Sequence, residues 1–426
     1  MPDLAPDEPR WKVYACLGLL LAGLYLVVGP RIRLSRWSVH PKTNMALTEA
    51  LQWRRGRLAL PADYRTYETA RAGDHVYNVV GLSFVLISVV GTMLSEWAGA
   101  LPGTFYTPYY VACIALALPL LAFWAFKTRV KSSAWAAVLA AYVVAGTCLT
   151  PILQICRSGG VYYINHVLAV DGLLIFTAAL LGRRPAWLAA IGLCLAVWSR
   201  QMTCLYALPF LWIAWRHGRR RGGDEAPRPH PDNNASRRPR LGRPWVIAAA
   251  AVVVIAAVPM TLNTLKFGNP FDTGYQRLYE GRTDPIARRA QMCFYGPRYI
   301  PVHARAMNIN FPRMDIRGGS LYLDCSDTNG ASIWLTCPLL FAVFVTCRRW
   351  WSDRPARVLM LGTLPVILGL MGYHTTGANQ AGYYRYALDF IPIWLVVVAP
   401  YICEGRWKWI TPACLAYSAL YFRLVP

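Results

Sequence analysis

Acidic residues are scarce in this chain. Against 44 Lys and Arg stand only 21 Asp and Glu, and charged residues together make up 15% of its 426 residues. Soluble domains carry about a quarter of their residues charged, so this deficit, with 56% hydrophobic residues gathered into long runs, excludes an ordinary soluble globule. Several signatures are also missing: no Walker A loop, Rossmann fingerprint, HExxH or GxSxG element occurs. Nucleotide-driven transport and hydrolase chemistry thereby lose their usual handles. Among the 12 Cys there is no CxxC pair and no Cys/His metal spacing, and most lie inside apolar runs. There they act as small hydrophobes. No internal repeat emerges, which weighs against transporter architectures built from inverted repeats.

What is present is a series of apolar runs, at 11–29, 77–94, 108–126, 134–153, 162–181, 245–262, 331–347, 358–373, 387–402 and 409–424. Each approaches the roughly 20 residues needed to cross about 30 Å of hydrocarbon. The expected fold is all-α: a polytopic transmembrane helical bundle of about 11 to 13 crossings. Run 11–29 is long for a signal-peptide core and is followed by PRIR at 30–33 rather than by small residues. It reads as a retained first helix.

The net charge of +23 does not point to nucleic acid, because the charges lie between the apolar runs, where they anchor and orient membrane helices. The densest cluster is Arg- and Pro-rich and marks a basic cytoplasmic linker at 216–244. It separates an N-terminal transmembrane module, 1–215, with a first outer loop at 30–76, from a C-terminal module, 245–426, with an outer loop at 264–330. Segment 185–215 is apolar but interrupted by Ser199, Arg200 and Gln201. An Arg at mid-membrane depth costs about 2.5 to 3.5 kcal/mol, so this is either two short helices or one broken element at a polar cavity. Treating it as one broken element restores the parity of crossings, but it leaves Lys127, Lys131, Arg183 and Arg184 outside. In the first outer loop, 44–55 reads as an amphipathic helix lying in the membrane interface.

Three segments carry a family resemblance. NTLKFGNPFDTGYQ (263–276), AGYYRYALDFIP (381–392), and NMALTEALQWRRGRLALP (44–61) with HVYNV (75–79) resemble bacterial membrane glycosyltransferases of the GT-C type, mannosyltransferase- or arabinosyltransferase-like. The likeness covers most of the chain in order. It implies a multi-pass enzyme of the bacterial inner membrane that transfers a sugar, with inversion, from a polyprenyl-phosphate-linked donor to an acceptor on the extracytoplasmic face. The partners so implied are that donor, membrane lipids and an acceptor that is a lipid, a glycan or a protein, with no nucleic acid. The alternatives are an inactive relative that binds polyprenyl lipid, and a lipid-linked-sugar transporter or flippase. No cofactor is indicated, and a divalent cation is left open.

Displacing a lipid phosphate from an anomeric carbon needs a carboxylate to take the acceptor proton and cations to meet the departing phosphate. The stretch SRWSVHPKTN at 35–44, where the family typically has its early acid, contains none. Glu49 and Asp63 are therefore the catalytic candidates, with Glu68 and Asp74 later in the loop. For the phosphate the candidates are Arg385, with Asp389 four residues on to orient it, Tyr386, Arg200, Lys266 and Tyr275. His166 and Asp171 lie inside an apolar run, and ionisable residues there are functional candidates by default. Cys293 and Cys325 share the second outer loop, where a disulfide would add roughly 3 to 4 kcal/mol.

Overall fold

The computed structural model describes residues 8–28, 45–64, 68–79, 81–100, 117–158, 161–224, 243–317, 320–324, 330–377 and 383–424. The chain is mostly helical, and among these residues three helices are long and apolar enough to cross a membrane: Tyr163–Leu181, Pro244–Phe267 and Arg354–Met371. Five shorter apolar helices accompany them among the described residues. The N-terminal half contains α1 (Arg10–Val28), α2 (Met45–Arg54), a hairpin of β1 (Thr69–Ala72) and β2 (His75–Asn78), α3 (Leu82–Trp97), α4 (Ala117–Lys127), α5 (Ser133–Gly146), α6 (Leu149–Ser158), α7 (Val161–Leu181) and α8 (Ala186–Ser199). After a short helical turn, Gln201–Tyr206, come α9 (Ala207–Asp224) and α10 (Arg243–Phe267). The C-terminal half holds α11 (Pro285–Met292), α12 (Ile300–Asn308), a hairpin of β3 (Arg313–Arg317) and β4 (Ser320–Asp324), and the short helices α13 (Ile333–Thr336), α14 (Ala342–Val345) and α15 (Cys347–Ser352). It closes with α16 (Arg354–Met371), the short turn Arg385–Asp389, α17 (Ile391–Val398) and α18 (Trp407–Leu424).

The chain is mostly helical, as expected, and two short antiparallel hairpins stand in the loops between apolar segments. Gly73, at φ +58, makes the tight turn of the first one. A correction concerns α2. Its residues Met45, Ala46, Leu47, Thr48, Glu49 and Ala50 are all buried, so the helix is an inserted element and does not lie on an interface.

The core is built around α7 and α17. Every residue of α17 is buried, and 89% of the apolar window of α7 is buried, against 17% for α10. The first two are central helices and α10 is peripheral. α7 and α8 form a hairpin that owes its closeness to two glycines. A Cβ at Gly172 would stand 2.5 Å from the Gly192 carbonyl, and one at Gly192 would stand 2.5 Å from the Phe176 nitrogen. Small residues of this kind let helix backbones approach where no aqueous hydrophobic effect drives them together.

Contacts between turns define two ends of the bundle. Glu8 accepts from Lys127 Nζ at 2.8 Å and from the Ser133 hydroxyl at 2.5 Å and amide at 2.9 Å, and these bonds, the Lys127 one first, hold its carboxyl down at about 2. Arg129 pairs with Asp353 at 3.5 Å, and the Gly182 backbone lies against Thr128. The start of α1, the α4–α5 and α7–α8 turns and the start of α16 therefore share one end, and Lys127, Lys131, Arg183 and Arg184 belong to it.

The single broken element expected at 185–215 is also corrected. α8 ends at Ser199 and the chain reverses at Arg200. A Cβ at Gly369 would meet Met202, and one at Gly362 would meet Pro209, so α9 runs antiparallel to α16, back toward the basic end. α9 continues to Asp224 and takes in the first residues of the expected linker. Because α4 also runs toward the basic end, the chain between α1 and α4 makes no net change of side. The basic turns at 127–131 and 183–184 and the start of α16 thus share one end, the arrangement that the positive-inside rule favours.

In a background with the native cysteines replaced, Arg184→Cys is expected to resist a membrane-impermeant thiol reagent added to intact cells, whereas Thr283→Cys is labelled. Labelling of Arg184→Cys from outside would reinstate the single broken element.

Candidate functional site

At the end opposite the basic turns, α2, β2, the C-termini of α8, α10 and α16, and the turn Arg385–Asp389 converge on a cavity. Its wall includes Glu49, His166, Arg200, Lys266, Tyr275 and Tyr386. The segment KFGNPFDTGYQ builds one side. α10 ends at Phe267, and Gly268 at φ +77 turns the chain out of the helix. Asn269 Oδ1 then accepts from the Phe271 amide at 2.9 Å, and Asp272 Oδ1 from the Gly274 amide at 2.8 Å. These are the local turns that Asn and Asp favour. Gly274 has φ +74, and a Cβ there would stand 2.5 Å from the Phe267 ring. Only glycine fits, and its position delivers Tyr275 to the wall.

Glu49 is fully buried on α2. It accepts from Lys266 Nζ at 2.7 Å and from Asn78 Nδ2 at 2.5 Å. Lys266 also donates to the Asn78 carbonyl at 3.2 Å. One ion pair thus ties the first loop to the end of α10, and both charges are occupied with each other.

Arg200, in extended backbone at φ −142, ψ 102, caps α8. Its Nε lies 3.0 Å from Asp389 Oδ1 and its Nη2 lies 3.0 Å from Oδ2, a bidentate fork. Tyr206 OH donates to the Asp389 carbonyl at 2.9 Å. The Arg200 guanidinium sits 4.8 Å over the Tyr386 ring, on which the His166 ring also stacks at 6.2 Å.

Asp389 was expected to orient Arg385, and its carboxylate instead takes Arg200. The reason is local: Arg385–Asp389 is a tight short turn and not an α-helix, so residues four apart do not share a face. Arg385 is itself buried, its guanidinium 5.4 Å over Tyr386 and 5.9 Å over Tyr163. It stands behind Tyr386, outside the wall lined by Arg200 and Lys266. Asp63 is exposed in a turn closed by the Tyr64 amide on the Pro61 carbonyl at 2.9 Å. Asp171 is buried within α7 away from the cavity, so it and His166 do not meet at one site. The Cys293–Cys325 pairing lies outside the described residues. Cys293 Sγ donates to the Tyr295 carbonyl at 2.6 Å.

The wall opposite Glu49 is aromatic. Phe294 packs against Tyr295, Tyr373 and His374, with ring centroids 4.7 to 5.4 Å apart. His303 bridges the Tyr384 hydroxyl at 2.7 Å and the Tyr373 carbonyl at 2.8 Å, and His374 meets the Tyr279 hydroxyl at 3.1 Å. Burial pushes both imidazoles down to about 4, so both are neutral near pH 7.

Glu68 is the residue that motif reading passed over. It precedes β1, and its carbonyl accepts from the Val79 amide at 3.3 Å. Burial pushes its carboxyl up to about 7, with the Arg385 charge pulling the other way. Burial likewise pushes the Tyr275 hydroxyl up to about 12, and the Glu68 charge is the next contributor. Glu68 therefore lies within electrostatic reach of the cavity wall. The only signal for it in the sequence is an acid just before a short alternating segment, and that does not reveal burial. Among the described residues no three His, Cys, Asp or Glu side chains come together as ligands for a divalent cation.

No family model matches the chain, and no curated protein matches it. One solved structure is similar in shape, the Archaeoglobus fulgidus oligosaccharyltransferase in its apo form. It is 12% identical with a TM-score of 0.49, and the match covers 97% of this chain and 55% of that one. The chain thus spans about half the length of that protein, and a likeness this distant carries no argument about fold or activity.

Glu49→Gln leaves Lys266 buried beside a neutral amide, and breaking a buried pair costs about 3 to 5 kcal/mol. The expected result is a clear fall in unfolding temperature in detergent, largely restored by Glu49→Gln with Lys266→Met. A single variant as stable as the wild type would mean that the pair is not formed.

Proposed function

We propose that the chain is a membrane glycosyltransferase that uses a polyprenyl-phosphate-linked sugar on the extracytoplasmic face. The observation that carries this reading is a cavity that presents Arg200, Lys266 and Tyr275, with the half-buried Glu68, its carboxyl pushed up to about 7, within electrostatic reach of Tyr275 on that wall. A perturbed carboxylate next to fixed cations is what transfer to a hydroxyl requires. The segments that resemble GT-C enzymes supply three parts of this cavity: Glu49 and Asn78, Lys266 and Tyr275, and Tyr386.

In the proposed reaction the acceptor hydroxyl oxygen attacks the anomeric carbon from the face opposite the phosphate. A carbon–oxygen bond forms there, the bond to the phosphate oxygen breaks, and the configuration inverts. The hydroxyl proton passes to Glu68, and polyprenyl phosphate departs with the bonding electrons. Arg200 and Lys266 lie where that growing charge can be met. Asp389 takes the Nε–Nη2 edge of Arg200, a group that carries five N–H donors. In this reading Glu68 takes the catalytic role expected of Glu49 and Asp63, because Glu49 is committed to Lys266 and Asp63 is turned to solvent. Arg385 acts from behind, holding the Glu68 carboxyl from rising further. The basic end would face the cytoplasm and the cavity the exterior.

The pH dependence follows in sign. Glu68 has a folded value of about 7, above its ordinary 4.5, so the ionised form is disfavoured in the native state. Stability from this group is complete below about pH 4.5 and is lost as the pH rises through about 7. Transfer needs the ionised form and runs the other way, rising through pH 7. Glu68→Gln is expected to lower transfer from a polyprenyl-phosphate sugar by roughly 10² to 10⁴, to flatten the profile around neutrality and to leave stability above pH 7 equal or higher. Wild-type rate and pH profile retained in Glu68→Gln would remove Glu68 from the chemistry.

A further inference from the structure

Beside Arg200 the cavity wall holds two polar side chains with unmet hydrogen-bonding capacity. Asn165 is 3% exposed and Ser199 is 7% exposed, and both line the cavity. Neither Asn165 Nδ2, Asn165 Oδ1 nor Ser199 Oγ has a hydrogen-bond partner among the described residues. Polar atoms buried in this way are rare in folded chains, because leaving a donor or acceptor unmet costs about 1 to 3 kcal/mol.

The backbone around them is shaped to keep that face open. Gly81, just before α3, also lines the cavity. A Cβ on it would stand 2.7 Å from Asn165 Oδ1 and 2.8 and 2.9 Å from the Trp198 and Ser199 carbonyls. Its φ of −44 is open to any residue, so glycine is required here by space and not by backbone conformation. Any side chain would fill the region in front of the amide oxygen.

We propose that Asn165 and Ser199 form a subsite for the ring hydroxyls of a sugar. The argument is one of donor and acceptor balance. A carboxamide offers two donors and an acceptor and a serine hydroxyl offers both kinds, whereas phosphate oxygens at neutral pH mainly accept. Sugar hydroxyls both donate and accept, and they match this pair as a phosphate or a lipid tail does not. Position agrees with chemistry: each polar residue immediately precedes another residue of the wall, Asn165 before His166 and Ser199 before Arg200. A phosphate at Arg200 would place the attached sugar beside them. This inference rests on the donor class proposed above.

The sugar could belong to the lipid-linked donor or to a glycan acceptor, so the test has an arm for each. The full chain in nanodiscs is titrated with undecaprenyl phosphate, with undecaprenyl-phosphate mannose and arabinose, and with methyl α-mannoside, for wild type, Asn165→Ala and Ser199→Ala. Undecaprenyl phosphate alone should bind all three proteins equally. Affinity for at least one sugar-bearing ligand should fall about tenfold in Asn165→Ala, the usual effect of losing one or two hydrogen bonds, and less in Ser199→Ala. A fall confined to the lipid-linked sugars assigns the subsite to the donor, and one confined to the glycoside assigns it to the acceptor. Thermal unfolding accompanies each titration: an Asn165→Ala variant as stable as wild type fits an amide without a structural partner. Bare lipid binding with no sugar-dependent loss in either variant overturns the subsite while leaving the donor class intact. Failure of wild type to bind any of the polyprenyl phosphates overturns the donor class instead.

Discussion

The Arg200–Asp389 pair is the constraint on which the rest of the site depends. Asp389 is fully buried, and its guanidinium partner is contributed from 189 residues away. Neither charge could be held at this depth alone, since an unpaired buried charge is several kcal/mol less stable than a solvated one. Their union decides where α8 stops, where the chain reverses and how the turn Arg385–Asp389 is seated. Tyr386 is then fixed beneath Arg200, and Tyr206 is fixed by its bond to the Asp389 carbonyl. The pair is better understood as setting geometry than as adding stability, because buried pairs seldom exceed a well-packed apolar alternative.

The Glu49–Lys266 pair does a second piece of the same work. Arg200–Asp389 joins the middle of the chain to its late part, and Glu49–Lys266 joins the first loop to the end of α10. Each pair places a cation at the cavity wall and neutralises it there. A cavity with two cations so balanced can receive an anion without a large standing positive field. At the other end of the bundle the cations are held differently. Lys127 and Arg129 meet Glu8 and Asp353, while Arg183 and Arg184 remain exposed in the α7–α8 turn. The cations of these turns thus gather at the end opposite the cavity.

How much of this was legible in the sequence differs by residue. Arg200 stood out because a cation in an apolar run must have a reason, and it does line the cavity. Asp389 was visible too, but its partner was misassigned, since spacing along the chain registers only near neighbours and the true partner is remote. The helical character of the apolar runs was readable from composition, whereas the hairpins were not, being four or five residues per strand. The reversal at Arg200 was open to two readings. What decides it is the packing of α9 against α16, a contact between remote segments that no local pattern registers. Asn165 gave no signal at all: one amide between Ile164 and His166 looks like a helix-packing residue until its neighbours are known.

Glu49 and Glu68 show why position in the chain is a poor guide to chemistry. Both belong to the first loop, and the earlier one occupies the more motif-like setting. Yet Glu49 accepts from an ammonium group at one carboxylate oxygen and from an amide donor at the other, so both oxygens are engaged in holding the first loop to α10. Glu68 has burial as its main influence and only the more distant Arg385 opposing it, an environment that leaves the proton affinity high. Two like carboxylates are thereby driven to different tasks by their surroundings, one to hold an ammonium group and one to hold a proton near neutrality. The absence of an acid at 35–44 is therefore compatible with the proposal that a later acid of the same loop serves as base. Glu68, just before β1, lies within electrostatic reach of Tyr275 on the cavity wall, and what would fit it for the proposed role is its desolvation rather than its place in a motif.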